Sequence, residues 1–412
     1  LSHRVINTHQ HYEKSIFLSD VHFLQSHFLI SPEWTMAEFN GESNFSSSLF
    51  EQPVAFKWVV FNSVVFFPYT HFLQKASFYG SLFTGKVDFY RADFDEMVDF
   101  SGVKFSGASH FSNASFSSDA SFKGAQFHGM GDFNAAQFKG RAYFSHVKFF
   151  QSVDWREAAF GSLLNLSAAE FSDTVLLNHA VMPNLLDLSY VTKIKKEIDL
   201  TNVRKPKAQK KCLLNLIGAD ISKIKFRDQA FKLYFPLGTS DTDIQYVYES
   251  VLSMFAQNGF TESHRAITIE YKQYQYKQSG QWISNAVQKY GWNYGFDPER
   301  IFYWIAAVIL FFTSINALFY RHLVEKVMDV PFLAHHAQSD LVEKNAVLRY
   351  IYYFPMTIVF TVLILFSQLL GFRRDFTDLR STSLWVNVYI VTLISVGVIC
   401  SLFVLNYVLG GK

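Results

Sequence analysis

The sequence predicts a β-helix, then an α-helical linker, then an α-helical transmembrane domain, and three observations predict it. A large apolar residue, mostly phenylalanine, recurs at alternating spacings of five and six from Tyr12 to Met182. The pattern turns helical from Ser240, and three strongly apolar segments lie between Ile301 and Leu409.

The run reads Tyr12, Phe17, Phe23, Phe28, Trp34, Phe39 and onward without a slip to Phe171, Leu177 and Met182. Of its 32 positions 26 are Phe, which accounts for most of the 45 phenylalanines in the 412-residue chain. From Ser15 to Ala180, a small or β-branched residue stands two residues before each, as at Ala76, Ala92, Ser109, Ala114, Ala120 and Gly131, with Leu164 the bulky departure. An 11-residue period also suits a right-handed coiled coil, so the helical reading is tested first. At about 100° per residue, steps of five and six turn a helix by about 140° and 240°, which scatters the rings around the cylinder. The intervening Gly, Ser, Asn and Asp are poor helix formers as well. In an extended segment residues i and i−2 share a face, so each short strand buries one large and one small side chain. Corners between strands account for the Ser-Gly, Asn-Ala and Lys-Gly pairs that follow the Phe.

This register, seen in Ala120-Ser121-Phe122-Lys123-Gly124-Ala125-Gln126-Phe127, resembles the Phe-rich form of the pentapeptide-repeat family, and Ala219-Asp220-Ile221 approaches the family's usual form. The resemblance implies a right-handed, four-sided β-helix over 1–235 with one face per repeat and 22 residues per coil. Phe45, Phe67, Phe89, Phe111, Phe133, Trp155 and Leu177 would then form one column at about 4.8 Å per coil, in a rod of about eight coils.

After Met182 the register decays into a basic stretch containing Lys193, Lys195, Lys196, Arg204, Lys205, Lys207, Lys210 and Lys211. We read 193–211 as a loop extruded from the last coils, solvated or held against anionic lipid headgroups, which attract a nearby Lys or Arg by about 1 kcal/mol each. Residues 240–292 read as a helical hairpin linker. Ser240 or Asp241 caps a first helix with Ile244, Val247, Val251, Leu252 and Phe255 on one stripe and Gly259 at its end. Thr261 caps a second with Ile267, Tyr271 and Tyr274 on one face.

Within 298–412, segments 301–320 and 384–409 are long enough to span a bilayer, and Tyr303, Trp304 and Tyr320 sit where interfacial aromatics belong. Segment 351–372 is a third span or a re-entrant dip, since it holds Pro355 and runs into Arg373 and Arg374. On the last segment Thr392, Ser395 and Asn406 fall within about 60° of one another. Such a stripe faces protein or water, as an interhelical contact or as a pore lining.

Two spans around a re-entrant segment is the plan of tetrameric cation channels, and the order of parts resembles bacterial pentapeptide-repeat proteins that carry a channel-like C-terminal module. That resemblance implies a homo-oligomer, a tetramer by analogy, and places Ser367, Gln368 and Gly371 at the pore with the Thr392, Ser395 and Asn406 stripe. The segment Leu365-Phe366-Ser367-Gln368-Leu369-Leu370-Gly371-Phe372 lacks the Thr-Val-Gly-Tyr-Gly run of a potassium filter.

The rest bounds function. There is no Gly-rich phosphate loop, zinc-spaced cluster or nucleophile motif, so no enzyme, cofactor or metal is expected. His9, His11, His335 and His336 read as solvated loop histidines. Cys212 and Cys400 are far apart, which fits neither a disulfide framework nor a zinc site and suits a reducing compartment. Residues 1–190 carry 12 Lys or Arg against 18 Asp or Glu, too mild an excess for a DNA mimic of the gyrase-protecting kind, and no nucleic-acid partner is expected. The absence of a signal peptide points to a rod in the cytoplasm and spans in a bacterial inner membrane. The leading expectation is a membrane protein whose rod senses or scaffolds, with a protein partner on its surface, and whose spans conduct ions or permeabilise the membrane, as an antiphage or stress effector would. A non-conducting, membrane-anchored scaffold is the alternative.

Overall fold

A computed structural model describes residues 4–7, 12–205, 211–319, 346–366 and 384–410; the side chains of 346, 348, 349, 386, 406 and 408–410 also lie outside the description. The chain forms two compact units, Leu1–Thr268 and Ile269–Lys412.

The first unit is a four-sided parallel β-solenoid of about ten turns. Two-residue strands build four sheets of eight, nine, nine and ten strands. Each strand pairs with its counterpart one coil further along, as in His71↔Asp93 and Phe72↔Phe94, or Leu82↔Lys104 and Phe83↔Phe105. The four columns stack as expected. In the column named above, ring centroids are 4.8 Å apart from Phe45 to Phe67 and from Phe67 to Phe89, and 4.9 Å from Phe89 to Phe111 and from Phe111 to Phe133, with ring planes within 6°. Neighbouring columns meet edge to face, as between Phe100 and Phe111 at 5.3 Å and 81°. Both geometries suit the ring quadrupole and add about 0.5–1.5 kcal/mol per pair beyond area burial.

The alternation of five and six has a structural cause. Each five-residue step contains a hydrogen-bonded turn, closed for example by Ser48 N–H to Phe45 O (3.2 Å) and Ala92 N–H to Phe89 O (3.0 Å). The third turn residue has positive φ at every eleventh position from Lys14 to Tyr190, as a type II turn requires. Only three of these positions are glycine; Trp58, Tyr69, Arg91 and His146 are among the others. Glycine is doubly needed at Gly80, because a Cβ there would also lie 2.5 Å from the Trp58 ring. The six-residue steps turn through wider bends.

Asp and Asn residues just before the tight turns, exposed or buried as Asp154 is, accept from the backbone two residues on. Asp88 accepts from Tyr90 N–H (2.9 Å), Asp132 from Asn134 (3.0 Å) and Asp154 from Arg156 (2.9 Å). Part of the rod's acidity is therefore turn chemistry.

The structure corrects the sequence reading at both ends of the rod. Val5–Ile6 already pairs with His27–Phe28, so the register starts before Tyr12. The 193–211 segment is not one extruded loop. Lys193–Ile194 pairs with Glu170–Phe171, and Ile198 pairs with Val175 and with Ile224. The spacing has lengthened by one residue, but buried Ile194, Ile198 and Leu200 keep the columns filled between the lysines. The longer excursion follows, since Leu185 pairs with Leu213, well beyond one regular coil; residues 206–210 lie outside the description. These extra coils raise the count from about eight to about ten.

Helix α1, Asp241–Gln257, closes the first unit. The Ser240 hydroxyl caps it by accepting from Asp243 N–H (3.1 Å), and Asn258 and positive-φ Gly259 end it. Its buried face rests on the last coil, with Phe255 5.3 Å from Phe226 and edge-on to it. This face covers solenoid end that would otherwise be bare apolar surface.

The 240–292 range holds three helices instead of a two-helix hairpin. Helix α2 is Thr261–Gln278, and positive-φ Gly280 separates it from α3, Trp282–Trp292. In the second unit a 3₁₀ turn, Asn293–Gly295, leads to α4, Arg300–Leu318, then α5, Ala346–Leu365, and α6, Leu384–Gly410. These last three pack together around Phe312, Tyr353, Phe360, Ile364, Leu365 and Leu393. Helix α5 continues through Pro355, whose missing N–H leaves the Ile351 carbonyl without its helical donor.

Candidate membrane surface and helix bundle

Helices α4 and α6 are long and apolar enough to cross a bilayer, with 18-residue windows of mean hydropathy 2.0 and 2.6 that are only 28% and 22% buried. A core helix of a water-soluble protein would be mostly covered; here Tyr303, Phe311, Leu402 and Val391 face outward, each more than half exposed. Three polar side chains, Asn316, Thr357 and Thr361, go the other way. Asn316 of α4 donates from Nδ2 to Thr361 Oγ1 of α5 (2.8 Å) and accepts through Oδ1 from the Tyr389 hydroxyl of α6 (2.7 Å). The Thr361 hydroxyl itself donates to Thr357 O (2.6 Å). Asn316, Thr357 and Thr361 are essentially inaccessible. One asparagine thus ties three helices, donating through its amide nitrogen and accepting through its amide oxygen. Tyr350 of α5 donates to Ser314 of α4 (3.1 Å), nearer the start of α5.

Close backbone packing adds to this node. A Cβ on Gly397 of α6 would lie 1.9 Å from the Leu365 carbonyl oxygen of α5, so only glycine permits that approach. Cys400, one turn on, is a free buried thiol.

Of the sequence-derived pore residues, Thr392 and Ser395 have described side chains. Thr392 and Ser395 lie on the outer surface of α6, and each hydroxyl donates back to its own helix, to Val388 O and Val391 O (2.8 Å both). Among the described residues neither hydroxyl bonds to α4 or α5. Ser367, Gln368, Gly371 and the side chain of Asn406 lie outside the described residues, as do His9, His11, His335 and His336. The trio Asn316, Thr361 and Tyr389 escaped the sequence reading, although an Asn in an apolar run and a Thr pair spaced i, i+4 were visible signals.

The basic stretch divides into paired and unpaired charges. Lys193 meets Glu170 (3.0 Å), Lys196 meets Asp173 (2.5 Å) and Lys211 meets Asp228 (3.4 Å). The Lys193 ammonium, with Lys148 also near, holds the Glu170 carboxyl below its ordinary value, and Lys196 does the same to Asp173. Lys195, Arg204 and Lys205 are exposed and form no ion pair among the described residues; Lys207 and Lys210 lie outside them. Burial pushes the Cys212 thiol up to about 12, so it is an inert core residue. Among the described residues no group of three or more His, Cys, Asp or Glu could hold a metal ion.

Four parallel sheets, 22-residue coils and continuous phenylalanine columns define a pentapeptide-repeat β-solenoid. The family model for pentapeptide repeats (nine copies) matches residues 67–115 and 111–159, the most regular part of the rod. The repeat region is thus a pentapeptide-repeat scaffold, a fold typically without catalytic activity, joined to helices able to enter a membrane. No curated protein and no solved structure matches the chain.

Proposed function

We propose that this is a non-enzymatic, membrane-anchored scaffold whose rod presents ladders of outward side chains to a protein partner. In this reading the rod stands on the cytoplasmic side of a bacterial inner membrane. The observation that carries it is the inverted polarity of the second unit, with Asn316, Thr361 and Tyr389 inside and Tyr303, Phe311 and Leu402 outside. That arrangement is stable in lipid and adverse in water. The unpaired Lys195, Arg204 and Lys205 supply a contact for anionic headgroups in the same reading.

A second reading is favoured by Thr392 and Ser395, which lie on one outer face of α6 and would be brought together by further copies of the chain. Here a homo-oligomer, a tetramer by analogy, conducts ions or permeabilises the membrane, and a growth-arresting antiphage or stress effector is its natural use. Reconstitution of the purified chain into liposomes separates the two. Ion flux that is lost in Ser395→Trp supports the conducting assembly; a confirmed oligomer that gives no flux leaves the scaffold reading.

A further inference from the structure

Helix α3 faces the wrong way for a water-soluble protein. At about 100° per residue, Trp282, Ala286, Tyr290, Ile283 and Val287 occupy one continuous arc of about 140°. Four of these are exposed: Trp282 74%, Ile283 59%, Val287 47% and Tyr290 60%. The opposite arc is the one that packs. Asn285 accepts a hydrogen bond from the buried Tyr294 hydroxyl, and Trp292 lies 5.2 Å from Phe403 of α6. The helix is also pinned to the first span, because Trp304 Nε1 of α4 donates to Tyr290 O (2.8 Å).

We propose that α3 is an interfacial helix that lies on the bilayer with Trp282, Ile283, Val287 and Tyr290 among the headgroups and upper acyl chains. Three features select lipid as the occupant. Only residues 293–299 separate α3 from the start of α4, so its height is set by the entry point of a span. Its apolar arc is chemically continuous with the exposed Phe302, Tyr303 and Trp304 at that entry point. Two of its four exposed large residues are Trp and Tyr, whose amphipathic rings favour the headgroup level, and Lys289 at the arc's edge is placed to reach phosphate. The helix would set how deep the bundle sits and would pass movement of α4 to the linker in the plane of the membrane. This inference rests on the membrane reading of α4 and α6, and not on conduction.

The test is site-directed spin labelling of the full chain in phosphatidylcholine–phosphatidylglycerol vesicles. One cysteine at a time is placed at 282, 283, 284, 286, 287, 288 and 290, against the parent chain, whose two thiols are buried. Collision with oxygen reports lipid, and collision with a water-soluble nickel chelate reports solvent. We expect oxygen to exceed nickel severalfold at 282, 283, 287 and 290, the order to reverse at the exposed 284, and both reagents to be reduced at the half-buried 288. Nickel access at 283 and 287 equal to that at 284 overturns the proposal. Exclusion of both reagents at 283 and 287 overturns it too, since it means that protein covers the arc. A label at Val391, on the outer surface of α6, is the control: if it reports solvent, the membrane reading itself has failed, and not the placement of α3.

Discussion

The rod and the helix bundle both bury apolar side chains, but they differ in the polar groups they enclose and in the surfaces they display. The solenoid stacks aromatic rings inside and displays Asp, Asn, Ser and Lys outside. The bundle holds an Asn, a Thr and a Tyr hydroxyl inside and displays Phe, Leu, Val and Tyr outside. Within one chain this is the contrast that two solvents would produce. In water the gain comes from removing apolar area, and in lipid from close packing and satisfied polar groups.

That contrast can be broken first in the rod. Phe111→Ala removes a ring stacked on Phe89 and Phe133 and leaves a hole in a column that cannot collapse, because four sheets fix its walls. We expect a loss of about 3–5 kcal/mol, read as a fall in the denaturation midpoint of the β signal while the helical signal holds. In the bundle the corresponding break is steric. Gly397→Leu forces α6 off the Leu365 backbone, at about 1–3 kcal/mol, and the buried Cys400 thiol should then react faster with a maleimide. Asn316→Leu removes the shared partner of Thr361 and Tyr389. The expected loss in detergent is about 0.6–2 kcal/mol, small because the Thr361 hydroxyl keeps its bond to Thr357 O and only the Tyr389 hydroxyl loses its acceptor.

Two smaller effects sharpen the rod's side of the comparison. Where Phe gives way to Leu166, Leu177 and Met182, the interior holds a small wholly apolar void beside Trp155. Leu177→Phe extends the column and should stabilise the rod by about 1 kcal/mol. Glu170 tests the outside. Its carboxyl is held below its ordinary value chiefly by Lys193, so the stabilisation is present above the unfolded-state value and is lost as pH falls through the folded value. Glu170→Gln should therefore cost less than about 1 kcal/mol at neutral pH and nothing below the acid range, measured as denaturation midpoint against pH.

How much of this was legible in the sequence differs between the two regions for a physical reason. A solenoid repeats one local solution, so Phe67, Phe89 and Phe111 announce a column and the coil length follows from their spacing. The register blurred at Lys193 because the coil there is one residue longer and charged residues flank Ile194 and Ile198, which still fill the columns. The left-handed corners were hidden, since Trp58 or Arg91 at positive φ bears no mark of it. In the bundle, helix existence was plain from the apolar runs. Asn316, Thr361 and Tyr389, however, come from three helices far apart in the chain, and a single sequence does not say which polar residues meet. Thr392 and Ser395 looked more eligible for a site because they share a stripe, yet each is satisfied by its own backbone. The outward arc of α3 was hidden for a similar reason, because which side of an amphipathic helix faces protein is a tertiary fact.

The central claim, that inverted polarity marks a membrane-embedded second unit joined to a water-facing rod, is tested most directly by extraction of the full chain from isolated membranes. The account predicts that alkaline carbonate leaves it in the membrane pellet and that detergent alone releases it folded. Release by carbonate as a soluble, folded protein would contradict it.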